Sequence, residues 1–279
     1  MEGLLSPDVH ERYSVVAHGL PRMGEVLSTV HRHLLGADSD GYLVLGCRGA
    51  LDSVGDDEAA CELLTVVLAA LGVPLRVFDK WALWKPITSR LDVEPIRAFG
   101  VGYNPLHLDL VNTTRPPDIS GLLCVWPDPL GEGFSLVSQI RRAVARLDAT
   151  TCQALAQPVF RDGAFFDVSG VGAEYNPFPI LDELPADRGF VRFTAKMLGD
   201  RDPDDPATQA ARRLEQELIA TQRRFRLERG DLLLINQHLC CHGRESLGPG
   251  QEALREHQRR QLRQVFVSTH PESLAGGLS

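Results

Sequence analysis

Two residues with metal-binding side chains, His107 and Asp109, are separated by a single leucine in the segment NPLHLD at residues 104–109. The segment favours an extended strand, and a strand points side chains i and i+2 to the same face. The imidazole and the carboxylate would then project together and could bind one metal ion. Polar pairs of this kind are also common on ordinary sheet faces, so a metal site needs a third ligand from elsewhere in the chain.

The strongest candidate for the third ligand is His242, which follows an apolar strand predicted at residues 232–235. Two imidazoles and one carboxylate would bind three corners of a metal ion and leave three adjacent positions open. This is the donor set of the non-haem Fe(II) oxygenases. His238 competes with His242, because it lies four residues earlier on the same face of an extended strand. We expect His238 to be a hydrogen-bonded or surface histidine instead.

Four segments, in order along the chain, resemble the Fe(II)/2-oxoglutarate-dependent oxygenases of the taurine dioxygenase and clavaminate synthase type. The segments are PLHLD at 105–109, GLLCVWPDPLGEGFSLVS at 121–138, RGDLLLINQHLCCHGR at 229–244 and RRQLRQVFVS at 259–268. The resemblance implies a double-stranded β-helix, or jelly roll. It also implies Fe(II) bound by His107, Asp109 and His242, with 2-oxoglutarate and O₂ as cosubstrates.

The resemblance further implies that an arginine on the last strand binds the far carboxylate of 2-oxoglutarate. Arginine suits this role because its guanidinium is planar, always charged and able to bind a carboxylate with two hydrogen bonds. Arg260 matches by register, whereas Arg259 and Arg263 have the opposite strand parity. Ser135 matches a threonine or serine that helps to hold the same carboxylate, although it could equally be a helix cap or turn residue.

Gln264 stands where some relatives carry a second arginine that binds an anionic substrate group, so a sulfonate substrate is not favoured. Asp109 is a carboxylate where related halogenases have a small residue, which disfavours halogenation. A long loop at residues 167–189 is rich in glycine and proline and could close over a substrate. We expect substrate contacts from Glu174 and Asp182 in this segment, and from Asn104 and Gln264.

The elements that must position these residues are mostly short strands separated by turn signals. Helices are predicted at residues 26–35, 56–72, 132–148 and 206–224, the last with Asp205 as its cap. Strands are predicted at residues 41–49, 121–128, 157–170, 188–198, 225–238 and 259–269. The predicted fold is mainly β with helical additions and a jelly-roll core. It forms one domain, 1–279, with a mixed α/β part at 1–100 and the jelly-roll core at 101–270, which carries the inserted helix at about 206–224.

Composition narrows the functional class. The formal net charge of −8 argues against a general nucleic-acid binder. The longest apolar stretch, residues 63–73, is too short to span a bilayer, and the first residues do not follow a signal-peptide pattern. Six cysteines without a CxxC spacing indicate free thiols in a reducing compartment, so we expect a cytoplasmic protein without membrane partners.

These patterns predict an oxygenase that hydroxylates a small metabolite and converts 2-oxoglutarate to succinate and CO₂. The clavaminate synthase-like character favours an amino acid, or an intermediate derived from one, in bacterial specialised metabolism such as antibiotic biosynthesis. Desaturation and ring closure would use the same metal ligands, so both remain alternatives to hydroxylation. A non-catalytic jelly-roll binding protein and a cupin-like metalloprotein that does not use 2-oxoglutarate are competing hypotheses from different functional classes. The sequence leaves the oligomeric state open.

Overall fold

The computed structural model describes residues 7–19, 21–36, 38–76, 82–111, 116–162, 177–182, 190–199 and 201–269. The helices of this part are α1 (Pro7–Gly19), α2 (Met23–Val30), α3 (Arg48–Val54), α4 (Asp57–Ala69), α5 (Ile140–Val144), α6 (Ala149–Leu155) and α7 (Pro206–Thr221). The strands are β1 (Tyr42–Gly46), β2 (Val73–Leu75), β3 (Lys85–Thr88), β4 (Asn104–His107), β5 (Ile119–Trp126), β6 (Ser135–Gln139), β7 (Arg223–Phe225), β8 (Asp231–Asn236), β9 (Cys240–Arg244) and β10 (Gln261–Ser268).

The strands form two antiparallel sheets. The larger sheet has six strands in the order β1-β8-β5-β10-β2, with β3 also paired to β10, and the smaller has the order β4-β9-β6-β7. Strands β1, β2 and β3 come from the first hundred residues, so this part of the chain contributes directly to the large sheet. The fold is therefore mainly antiparallel sheet with helices, as the sequence predicts.

The two sheets pack face to face, and helices cover their outer faces. Strand β8 illustrates the arrangement, because side chains alternate between the faces of a strand. Leu232 and Leu234 pack in a core shared with α4, whereas Leu233 and Ile235 pack in a core shared with Val137 of the small sheet. A third core lies between the small sheet and the helices α5, α6 and α7. Both faces of β8 are thus buried, which accounts for its continuous apolar sequence.

Side-chain caps determine where the long helices begin. The Asp205 carboxylate accepts a hydrogen bond from the Thr208 backbone at the start of α7, and Pro206 is the first helical residue. Asp56 caps α4 in the same way through Glu58 and Ala59. A cap of this type typically stabilises a helix by about 1 kcal/mol. The predicted cap of α7 is confirmed, although the helix ends at Thr221 and the next residues form β7.

Three predicted elements differ from the observed ones. The helix predicted at residues 132–148 is wrong over its first half, because Ser135–Gln139 form β6 and only Ile140–Val144 are helical there. Pairing with β9 and β7 on both sides outweighs the helical propensity of this segment. The strand predicted at 188–198 is also wrong, because its described residues form only isolated bridges at Val191 and Thr194 and a 3₁₀ helix at Ala195–Leu198. Of the strand predicted at 157–170, the described part forms a single bridge, between Phe160 and Phe178.

In the described part of the chain, no helix combines the length and the apolar composition needed to cross a bilayer.

Candidate metal centre

The two histidines of the predicted triad lie side by side on neighbouring strands. His107 ends β4, His242 is the middle residue of β9, and the two are direct partners in the antiparallel register. Gly243 allows the strands to come this close, because a Cβ atom at this position would lie 2.8 Å from the carbonyl oxygen of Asn104. The small sheet therefore fixes two of the three ligands.

Asp109 follows β4 in a turn whose next residue, Leu110, has a positive φ of 58°. A left-handed conformation is uncommon for leucine and needs support from the surrounding structure. Part of that support comes from Gln237, whose buried side-chain oxygen accepts a hydrogen bond of 2.8 Å from the Asp109 backbone. The Gln237 amide nitrogen in turn donates to the carbonyl oxygen of Pro117 at 2.8 Å.

The three donor groups converge on one point. The carboxylate oxygens of Asp109 lie 3.8 Å from His107 Nε2 and 3.4 Å from His242 Nε2. One ligand atom from each residue lies within 4.8 Å of the others, and the two imidazole rings are 4.4 Å apart between centroids. His107 Nδ1 lies 2.8 Å from the carbonyl oxygen of Pro105. A carbonyl can only accept, so Nδ1 carries the proton and Nε2 is left free to bind a metal.

The electrostatics of the site favour the protonation states that bind a metal. Burial, together with the charges of His242 and Lys196, lowers the pKa of His107 to about 3. Burial also lowers the pKa of His242. Burial alone would raise the pKa of Asp109, but His242, His107 and the Ser120 hydroxyl outweigh it and lower the pKa. At neutral pH the site therefore presents two neutral imidazoles and one carboxylate, which are the forms that bind metal ions.

Two side chains of the large sheet fix the orientation of the Asp109 carboxylate. The Ser120 hydroxyl donates to Oδ2 at 2.8 Å, and the Gln264 amide donates to the same oxygen at 3.1 Å. Ser120 is fully buried on β5, and Gln264 is buried on the neighbouring strand β10. The carboxylate thus bridges the two sheets.

We expect the Ser120→Ala variant to bind Fe(II) about 10- to 100-fold more weakly, the range found when a partner that orients a metal ligand is removed. The Asp109 carboxylate would lose one of its two fixed donors. Equilibrium titration with Fe(II) under anaerobic conditions measures the change. Ser138→Ala is the matched control, because Ser138 is equally buried but donates to the carbonyl oxygen of Leu218. Equal affinities in the two variants would contradict the orienting role of Ser120.

The three donors form one wall of a cavity of about 100 Å³ between the sheets. Its polar lining also includes Lys85, Asn104, Ser135, Arg244, Arg260 and Gln264. Arg260 and Arg244 are both buried, and burial lowers the pKa of each, that of Arg244 to about 9 with a further contribution from Arg260. Nη1 of Arg244 is buried without a hydrogen-bond partner among the described residues. Two buried guanidinium groups in one cavity provide the positive charge that a buried anion would need.

The sequence matches a family model described as "Taurine catabolism dioxygenase TauD, TfdA family" over residues 88–263. This span covers more than half of the chain and contains all three donors and both arginines. The chain belongs to the TauD/TfdA family.

One relative by sequence and several solved structures are similar to this chain. An L-asparagine oxygenase of Streptomyces coelicolor is 28% identical over 153 residues, which are 55% of this chain and only 44% of that relative. The solved structure of an asparagine oxygenase with Fe(II), 2S,3S-3-hydroxyasparagine and succinate has a TM-score of 0.75 at 24% identity and covers 97% of this chain and 87% of that one. The non-heme iron oxygenase OrfP with Fe, succinate and (3S)-hydroxy-L-Arg has a TM-score of 0.67 at 17% identity, over 95% of this chain and 93% of that one.

Most of the residues singled out in this TauD/TfdA family member from its sequence lie in the cavity. Arg260, which directly precedes β10, and Gln264 within β10 both line the cavity, as their even spacing predicts, and Ser135 and Asn104 line it from the small sheet. Ser135 is the first residue of β6 and not a helix cap.

One predicted substrate contact, Asp182, does not line this cavity. Asp182 is a buried ion-pair partner of Arg192, whose guanidinium also donates to the carbonyl oxygen of Val111 at 2.9 Å. Glu174 lies outside the described residues.

His238 lies apart from the metal ligands and hydrogen-bonds to Asp118, at 2.7 Å from its carboxylate. Asp118 also accepts from the backbone of Thr269 at 2.8 Å and from the Ser268 hydroxyl at 3.2 Å. Asp118 therefore joins the start of β5 to the end of β10, and His238 completes this network as the hydrogen-bonded histidine that the sequence predicts.

We expect the protein to lose stability in acid as the Asp118 carboxylate becomes protonated. Burial alone would raise its pKa, but His238 and Thr269 lower it from 3.8 to about 2 in the folded state. A folded pKa below the unfolded one stabilises the protein above pH 3.8, and that stabilisation is lost as the pH falls through 2. The loss is about 2 kcal/mol. Urea unfolding at pH 5 and pH 2 measures it, with Asp118→Asn as the control. An identical decrease in both proteins would contradict the assignment.

Sequence reasoning missed four residues of the centre. Arg244 could have been predicted from the sequence, because this residue lies two positions after His242 and on the same face of the strand. Ser120, Gln237 and Lys85 gave no local signal. Their proximity to Asp109 depends on strand pairing between distant parts of the chain.

Proposed function

We propose that this protein is an Fe(II)/2-oxoglutarate-dependent oxygenase that hydroxylates an amino acid, or a small molecule derived from one, and releases succinate and CO₂. One observation carries the proposal: three converging metal donors share a small cavity with two buried arginines. A divalent metal beside an anion site suits a cosubstrate that is both a chelator and a dicarboxylate. Membership of the TauD/TfdA family supports the same conclusion. We also propose that the two facing sheets form the double-stranded β-helix of this family.

His107, Asp109 and His242 would hold Fe(II) from one side and leave the cavity side open to ligands. The bound metal would supply the redox chemistry that couples O₂ to the oxidation of 2-oxoglutarate and substrate. The protein contributes the fixed orientation of the donors. Ser120 and Gln264 hold the carboxylate, and the carbonyl of Pro105 holds the proton of His107 away from the metal.

Arg260 and Ser135 would bind the far carboxylate of 2-oxoglutarate. A buried guanidinium binds a carboxylate strongly, because charge-assisted hydrogen bonds replace the lost hydration. The Ser135 hydroxyl can donate one more hydrogen bond. Arg244 lines the same cavity, its Nη1 has no hydrogen-bond partner in the described part of the chain, and it would add to the positive potential there.

An amino acid is the proposed substrate class because the relatives named above act on asparagine or carry a hydroxylated arginine. Asn104 and Gln264 line the cavity and are the proposed polar contacts for the substrate. Asp182 is already paired with Arg192, so we assign it a structural role and no longer a substrate contact.

The proposal is tested by measuring succinate after anaerobic loading with Fe(II) and 2-oxoglutarate and then exposure to O₂, with a panel of the twenty proteinogenic L-amino acids. We expect iron-dependent succinate that rises with one or a few panel members. His107→Ala should reduce it to background, and the matched control His257→Ala, at an exposed position, should not. Mass analysis of the product distinguishes a gain of oxygen from the loss of two hydrogens in desaturation or ring closure. A folded, iron-loaded protein that forms no succinate and does not bind 2-oxoglutarate would contradict the oxygenase proposal.

A further inference from the structure

A lysine lines the cavity beside the metal centre. Lys85 lies at the start of β3, partly buried, with its ammonium group 5.2 Å from the centre of the Phe99 ring. Only three lysines occur in the 279 residues, against 26 arginines, so a lysine at this position is unusual for this chain. A compact ammonium group is a flexible point charge, unlike the rigid fork of a guanidinium.

The register of the large sheet determines where this charge lies. Lys85 is the direct partner of Gln264 in the antiparallel pair of β3 and β10. Cross-strand partners point to the same face of a sheet, so both side chains face the cavity. Gln264 is already engaged, since its amide donates to Asp109 Oδ2 at 3.1 Å. Lys85 therefore supplies positive charge at the end of the cavity that holds the metal donors.

This charge is distant from the arginine end of the cavity. Arg260 and Gln264 are four residues apart along an extended chain, which separates their backbones by roughly 13 Å. Lys85, opposite Gln264, is displaced from Arg260 by a similar distance along the sheet. The lysine and the arginine are therefore positioned for two different anionic groups.

Asp109 is a charged neighbour of Lys85, and its carboxylate supports the protonated lysine, whose pKa burial lowers to about 8. A metal ion bound to Asp109 would neutralise this carboxylate and add positive charge nearby. A partly desolvated ammonium group would then be stabilised by a further anion. The far carboxylate of 2-oxoglutarate is assigned to Arg260 and its near carboxylate to the metal, so a carboxylate of the substrate is the remaining anion for this position.

We propose that Lys85 binds the α-carboxylate of the amino-acid substrate and selects for substrates with a free carboxylate beside the metal centre. The inference rests on the proposed function, and it makes Lys85 a specificity-determining residue. It implies that the substrate is an amino acid with a free α-carboxylate, and not one whose carboxylate is blocked as an amide or ester.

The test measures binding without turnover. The anaerobic protein with Fe(II) and 2-oxoglutarate is titrated with the twenty proteinogenic L-amino acids and with the α-amide of each one that binds, and the change in its visible spectrum is followed. The variants are Lys85→Gln and Lys85→Arg. The matched control is Lys196→Gln, because Lys196 also acts electrostatically on Asp109 and both histidines but does not line the described cavity.

We expect wild type to bind the free amino acid at least about 10-fold more tightly than its amide, as for a charge-assisted contact. Lys85→Gln should bind the free amino acid more weakly by a similar factor. This variant should then bind the free amino acid and its α-amide with equal affinity. Its 2-oxoglutarate affinity should stay within about two-fold of wild type. Lys85→Arg should restore part of the preference, which excludes misfolding as the cause.

Three results would overturn the inference while the proposed function stands. Equal losses of amino-acid affinity in Lys85→Gln and Lys196→Gln would indicate that both lysines act through long-range electrostatics and not by direct contact. A loss of 2-oxoglutarate affinity in Lys85→Gln would assign the lysine to the cosubstrate. No response to any panel member, in a protein that binds 2-oxoglutarate, would refute an amino-acid substrate. A protein that fails to bind 2-oxoglutarate at all would refute the proposed function itself.

Discussion

The Arg260→Gln variant is expected to bind 2-oxoglutarate about 10- to 150-fold more weakly than wild type, because a charge-assisted contact contributes about 1.5–3 kcal/mol. Arg260 is buried in the cavity next to a second buried arginine, and burial lowers its pKa. The ligand-free protein therefore holds two desolvated, mutually repelling cations. Removing one should leave the free energy of unfolding unchanged or raise it, even as ligand binding is lost.

Calorimetric titration of the anaerobic Fe(II) protein with 2-oxoglutarate measures this affinity, and urea unfolding without ligand measures stability. Arg263→Gln is the matched control. Arg263 lies on the same strand with the opposite parity, where its charge acts on Cys61 of α4 on the outer face of the sheet. An unchanged affinity in Arg260→Gln, or the same loss in both variants, would contradict the assignment of the cosubstrate carboxylate to Arg260.

The Asp109→Ala variant is expected to lose both Fe(II) binding and succinate formation. Asp109 is the one carboxylate of the described donor set, and two neutral imidazoles alone give a metal no charge compensation. Loss of a residue that only orients a ligand costs about 10- to 100-fold in affinity, so loss of the ligand itself should exceed about 100-fold. Succinate formation should fall to the background measured without iron.

Metal content after anaerobic loading and gel filtration measures the retained iron. Asp92→Ala is the control, because Asp92 is exposed and paired with Arg90. The ligand-free fold of Asp109→Ala can be checked by its circular dichroism spectrum. Retention of iron within about 10-fold of wild-type affinity, with normal succinate formation, would show that Asp109 is not a ligand.

Local spacing was sufficient to predict the parts of the centre that lie within single segments. The i, i+2 spacing of His107 and Asp109 predicts that their side chains project together, although β4 ends at His107 and Asp109 lies in the turn that follows and not in the strand. The same parity assigns Arg260 and Gln264 to one face and Arg263 to the other, and the cavity lining agrees. The cap of α7 at Asp205 could also be predicted from the sequence, because capping depends on neighbouring residues alone.

Residues brought together by distant strand pairing could not be predicted in this way. Ser120 reaches Asp109 because β5 packs in the large sheet opposite the strands that carry the histidines. Lys85 faces the cavity only through the register of β3 with β10. Pairing also makes residues 135–139 of the predicted helix at 132–148 a strand, β6, and Asp182 is paired with Arg192 outside the cavity lining.

The most direct test of the central claim is the visible spectrum of the anaerobic protein titrated first with Fe(II) and then with 2-oxoglutarate, in wild type and in His242→Ala. We predict a broad charge-transfer band in wild type that requires both additions, because the keto acid must chelate the iron held by His107, Asp109 and His242. The band should be absent in His242→Ala. A wild-type protein that binds iron but develops no band, or a band that persists in His242→Ala, would contradict the account.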